Sequence, residues 1–174
     1  MSPQSTEHNA AIWQRLIEGQ QAIAHAEREF SLARQIFLSE GVDRVALLRE
    51  ALRGRDRLTA LQVAEDLNTA ERLALFDELI FLVSFSHGAL PRVRNLILSL
   101  PRDWVLANIE EKAEPLLRDG SYDEYRRFLE LYVLLDHDLA LKLAQRAAVC
   151  ADEDIREAGE DFLEKLKPED GKPA

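Results

Sequence analysis

The chain has 174 residues, 47% of them hydrophobic, and carries 22 Lys and Arg against 32 Asp and Glu for a formal charge of -10. That apolar content supports the core of one folded domain and excludes disorder as the overall state, while the negative total works against general affinity for nucleic acid. Only seven Gly and six Pro interrupt a composition dominated by Ala, Leu, Glu and Arg, which favours helix over strand.

The first predicted element is a long helix from about residue 6 to 39. Along it Ile12, Leu16, Gly19, Ile23, Ala26, Phe30, Ala33 and Phe37 recur in alternating steps of four and three, the 3.5-residue period of a supercoiled contact. Leu16, Ile23, Phe30 and Phe37 are large; Gly19, Ala26 and Ala33 are small, so a second helix can come close on this face. Two uses are open. The seam caps the end of the following domain, or it forms a homodimer, in which case Ala26→Glu yields folded monomers. Two roles are open for Trp13, at the start of this helix: an interface anchor or, the leading expectation, a core aromatic.

Further helices are predicted near 43–53, 56–67, 70–86, 90–100, 103–118, 122–135, 138–150 and 153–167, with breaks at Gly41, Gly54, Gly88, Gly120 and Asp136. The short connections make successive helices antiparallel neighbours. Residues 43–57 hold five Arg against Asp43, Glu50 and Asp56, whereas the acids concentrate after Asp119. His87-Gly88 reads as a helix end, Trp104 as a core aromatic, and Pro115 as a kink in its helix.

Aligning the second helix of each pair on Leu58, Val93, Tyr125 and Ile155 gives spacings of 35, 32 and 30 residues. Three positions on stand Leu61, Leu96, Phe128 and Ala158, and seven positions on stand Glu65, Leu100, Tyr132 and Phe162, with Glu65 the departure. A period in this range marks helix pairs that stack to share a core. The stretch ADEDIREAGEDFLEKL (151–166) carries seven carboxylates, yet Ile155, Ala158, Phe162 and Leu166 form its apolar stripe, so most acids face solvent. Asp152 and Asp154 suit the helix start, and Arg156 with Glu160 and Asp161 with Lys165 are opposite charges at i, i+4.

On DEDIREAGEDFL (152–163), LLREALRGRDRLTALQVAEDL (47–67) and PRVRNLILSL (91–100), the chain resembles the HEAT-repeat family over roughly residues 43–167; YDEYRRFLELY (122–132) matches poorly. The resemblance implies an all-α fold, a right-handed α-α superhelix of HEAT/ARM-like repeats behind the long N-terminal helix, and a tendency to bind other macromolecules. It carries over no catalytic residue. The implied organisation is an N-terminal helix at 1–40, a helical repeat domain at 41–167 and a flexible tail at 168–174.

Arg57, Arg92 or Arg94, Arg126 or Arg127, and Arg156 lie near the starts of the aligned helices. Stacking would set Arg57, Arg94, Arg127 and Arg156 in a row able to hold an acidic peptide or a phosphate backbone, unless they pair with turn acids of neighbouring repeats. No catalytic, cofactor-binding or metal-binding residue is expected. The histidines, at 8, 25, 87 and 137, form no HExxH; Asp136-His137-Asp138 reads as a helix cap; and Cys150, the single cysteine, can form neither an intrachain disulfide nor a cysteine cluster. The longest apolar run, Leu79 to Phe85, falls short of the roughly 20 residues needed to span a bilayer, and MSPQSTEHNAAIW lacks a secretory pattern, so no membrane and a cytoplasmic location are expected. The leading expectation is a non-enzymatic scaffold that presents a helix-lined surface to a protein partner. The alternatives are a nucleic-acid backbone binder or DNA-glycosylase-like HEAT enzyme, and a chaperone or lyase-like subunit for a small prosthetic group.

Overall fold

A computed structural model describes residues 3–85 and 88–167, with side chains from residue 8 onward. The expected helix end at His87 and the tail at 168–174 lie outside the described residues. Among those described there are ten helices and no strand. None of these helices is long and apolar enough to cross a membrane. The chain divides into two units, residues 1–44 and 45–174.

The first unit is α1 (Pro3–Ser39) followed by a bend through Gly41. Its last carbonyls are satisfied by a cation: Arg44 Nη1 donates to Leu38 O at 3.0 Å and Glu40 O at 3.3 Å. None of its described side chains is buried, and Trp13 is 63% exposed, which corrects the expectation of a core aromatic.

The second unit comprises α2 (Arg44–Arg53) from Val45 onward, α3 (Arg57–Ala64), α4 (Thr69–Leu73), α5 (Phe76–Val83), α6 (Leu90–Leu98), α7 (Arg102–Arg118), α8 (Tyr122–Leu135), α9 (His137–Ala148) and α10 (Glu153–Lys165). Starts follow local chemistry: Asn68 with Glu71 and Ser121 with Glu124 form capping boxes, and the Asp136 and Asp152 carboxylates accept backbone N–H groups of α9 and α10. α7 continues through Pro115 to Arg118.

Within this unit α5 packs on α6, α7 on α8 and α9 on α10, while α3 touches α6, α6 touches α8 and α8 touches α10. The helices α3, α6, α8 and α10 therefore touch in succession. Their burial departs from the aligned anchors in the first of them. Leu58 is 59% exposed, so the first helix is anchored two residues later, on Ala60. Ala60, Val93, Tyr125 and Ile155 are all buried; so are Val63, Leu96, Phe128 and Ala158, and Leu67, Leu100, Tyr132 and Phe162. The departure at Glu65 disappears in this register.

One predicted helix is two. The 70–86 segment breaks at Ala74 and Leu75, where the Ala74 carbonyl accepts from Arg49 Nη2 of α2 at 2.7 Å. At the break Leu75 and Phe76 are both buried, and Phe76 meets the half-buried Trp104 edge-to-face at 5.0 Å.

Candidate interaction surface

Ion pairs join successive helix pairs in the second unit. Arg49 and Arg53 of α2 reach the buried Glu78 of α5, Asp77 of α5 meets Lys112 of α7, and Glu110 and Glu114 of α7 meet Lys142 and Arg146 of α9. These contacts neutralise one another across the α2, α5, α7 and α9 faces. Along the α3, α6, α8 and α10 row, Arg92 of α6 pairs with Glu65 just after α3 at 3.2 Å, and three further arginines gather on one carboxylate.

Glu130, in the middle of α8, accepts from Arg94 of α6 and from Arg127 Nη1 at 3.3 Å, with Arg126 Nε at 3.6 Å. Arg126 also donates to the Tyr122 hydroxyl at 2.8 Å and lies 3.9 Å from Asp161 of α10. All three arginines are only partly exposed, and the Nε–H groups of Arg94 and Arg127 are buried with no acceptor among the described residues. Burial alone would raise the Glu130 carboxyl; the Arg94 and Arg127 guanidinium groups outweigh it and hold the carboxyl below its ordinary value of 4.5.

The depressed value fixes the direction of a pH effect. The charged form is favoured in the folded chain, so this contribution is complete above about 4.5, the unfolded-chain value, and is lost as pH falls through the lower folded value. Glu130→Gln should therefore be less stable than wild type at neutral pH, and the two melting temperatures should converge on acidification. A gap that persists unchanged to the lowest pH would show that Glu130 acts through its shape rather than its charge.

The four arginines expected in a row are all engaged inside the fold. Arg57 Nε donates to Gly54 O at 3.3 Å and its guanidinium sits 5.5 Å from the Phe85 ring centre. Arg94 and Arg127 meet on Glu130, and Arg156 Nη1 donates to Cys150 O at 3.0 Å and Ala151 O at 3.4 Å. Arg94 thus bridges to the neighbouring helix pair, but to a mid-helix acid; Arg57 and Arg156 serve the turns before their own helices. In α10, Arg156 turns back to these carbonyls and Asp161 reaches toward Arg126, where i, i+4 pairing within the helix was expected. Glu130 was not singled out from sequence, and Arg126 was named only as the alternative to Arg127. The signal was present: Arg94 and Glu130 are 36 residues apart, close to the 35-residue spacing of the first two aligned helices, and Arg126 and Arg127 precede Glu130 by four and three.

One helical turn beyond Arg94 and Glu130, on the same faces, stand Leu98 and Leu134, which are 40% and 55% exposed. Both line a depression of about 240 Å³ backed by the buried Leu100 and Val105. Beside it Arg102 closes the end of α8, donating to Leu135 O at 3.0 Å and Asp136 at 2.7 Å. The surface therefore combines an apolar socket with a half-buried cluster of three cations and Glu130.

The Asp136-His137-Asp138 triplet is spread by the helix start. Asp136 Oδ1 accepts from the backbone N–H groups of Asp138 and Leu139 at 3.0 and 3.1 Å, while His137 Nε2 lies 3.2 Å from the Leu166 carbonyl. That carbonyl, and then Asp138, raise His137 above its ordinary value. Among the described residues no three His, Cys, Asp or Glu side chains gather as a metal ion requires. The seam residues at 16, 19, 23, 26, 30, 33 and 37 all lie on α1; Leu16 and Ile23 are 61% and 54% exposed, Phe30 and Phe37 are half-buried, and an added Cβ on Gly19 would meet nothing within 4 Å. We found that no family model matches the chain, and that no curated protein or solved structure matches it.

Proposed function

We propose that residues 45–167 form a HEAT-like right-handed superhelix that acts as a non-enzymatic scaffold and holds a protein partner on the face of α3, α6, α8 and α10. The observation that carries this reading is the exposed Leu98–Leu134 socket one turn from the Arg94, Arg127 and Glu130 cluster. An apolar side chain of the partner fills the socket, and its polar flank exchanges hydrogen bonds with the cluster. The serial contact of the four helices and their common register of buried residues support the superhelical arrangement.

The test is affinity capture of tagged protein from extract of its own cells, with nuclease, comparing wild type with Leu98→Asp/Leu134→Asp. Both positions are already exposed, so the variant should keep its helical signal and lose the stoichiometric protein that wild type retains. Equal retention by the variant would sink the socket as the docking site. Retention of nucleic acid, with proteins released by nuclease, would favour a backbone binder instead.

A further inference from the structure

α1 is a long helix with an apolar seam of 3.5-residue period, and within its own unit none of its described side chains is buried. We infer that α1 pairs antiparallel with α1 of a second copy, in the register that sets residue 16 against 33 and residue 23 against 26.

Size complementarity selects this partner and this direction. In that register Leu16 faces Ala33, Ile23 faces Ala26 and Phe30 faces Gly19 of the second copy, each layer joining one large side chain to one small one. Only the end layers, Phe37 against Ile12, join two large residues. The open space around Gly19 accommodates an incoming ring. A parallel pair would stack each residue on its own copy, so that bulky Ile23 and Phe30 layers hold the helices apart while Gly19 and Ala26 layers are left as voids.

Charge along the flanks is compatible with the same register. It brings Gln20 opposite Glu27 and Trp13 opposite Arg34 on one side, and Ala22 opposite Glu29 on the other, with no like charges facing. Sliding by one heptad to set 23 against 33 keeps large against small but places Glu27 against Glu27 and Glu29 against Glu29. The favoured register also overlaps all of residues 12–37, about 39 Å of helix at 1.5 Å per residue. The inference stands apart from the proposed docking face, since it uses α1 alone.

The experiment joins light scattering to paired spin labels on the full chain. Wild type should have twice the 19.8 kDa chain mass. Ala26→Glu, which puts two charges into the seam, should weaken association about a hundredfold or more. Gln21→Glu, on the opposite face of α1, should remain dimeric. Labels at Gln14→Cys or Gln21→Cys, each with Cys150→Ser, then read direction. Antiparallel pairing separates the two residue-14 labels by about 31 Å along the axis and the two residue-21 labels by about 10 Å, whereas parallel pairing gives equal distances. A wild-type monomer, an Ala26→Glu dimer, a monomeric Gln21→Glu, or equal label distances would each overturn the inference.

Discussion

Gly159→Ala is expected to destabilise the second unit by about 3 kcal/mol or more, although the same change at an open helical position would stabilise by roughly 0.5 to 1 kcal/mol. The sign reverses because α9 and α10 meet backbone to backbone at this point. A Cβ on Gly159 would stand 2.4 Å from Ala148 N, 2.8 Å from Ala144 O and 2.8 Å from the Ala147 carbonyl carbon. These are main-chain atoms and cannot rotate aside, so the helices would have to separate. Separation would open the packing around the buried Ala144, Ala147 and Ala158. Urea unfolding followed by circular dichroism gives the answer: a large drop in midpoint supports the close approach, and an unchanged or raised midpoint shows that the helices have room.

Phe128→Ala is expected to cost about 3–5 kcal/mol and to lower the melting temperature by about 10 °C or more. Phe128 is fully buried in α8, which contacts α5, α6, α7, α9 and α10, and its ring meets Tyr132 edge-to-face at 6.1 Å. Because α8 is held among several helices, it cannot shift as a whole to fill the cavity left behind. Leu58→Ala is the comparison, because Leu58 is already 59% exposed and its loss should change stability by only about 0.5 kcal/mol. Calorimetry of the two variants would contradict the corrected register if Leu58→Ala proved the more damaging change.

The Leu58 register shows how far side-chain size can mislead. Leu58 looks like an anchor because it is large, and it lies 35 residues before Val93. The buried residue is Ala60, whose small side chain gives a weak hydrophobic signal. Burial belongs to whole helix faces, so Val63 and Leu67 had to be weighed together with it. The break between α4 and α5 was hidden for another reason. Residues 69–83 are continuously compatible with helix, and the Ala74 carbonyl is drawn out of that pattern by a guanidinium 25 residues away. No local pattern contains that bond.

By itself the sequence determined the all-helical class and most helix starts, since periodicity and capping chemistry act over one or two turns. Asp136, Asp152 and the Ser121–Glu124 box act as caps because each contacts backbone within three residues. The tertiary structure alone decided which charges are spent inside the fold. Arg57 and Arg156 bind their own turns, Arg94 and Arg127 share Glu130, and Leu98 and Leu134 come to line one socket. The reason is distance: such partners are separated by up to 36 residues in sequence, and they meet only where neighbouring helices are brought to packing distance by the buried faces between them.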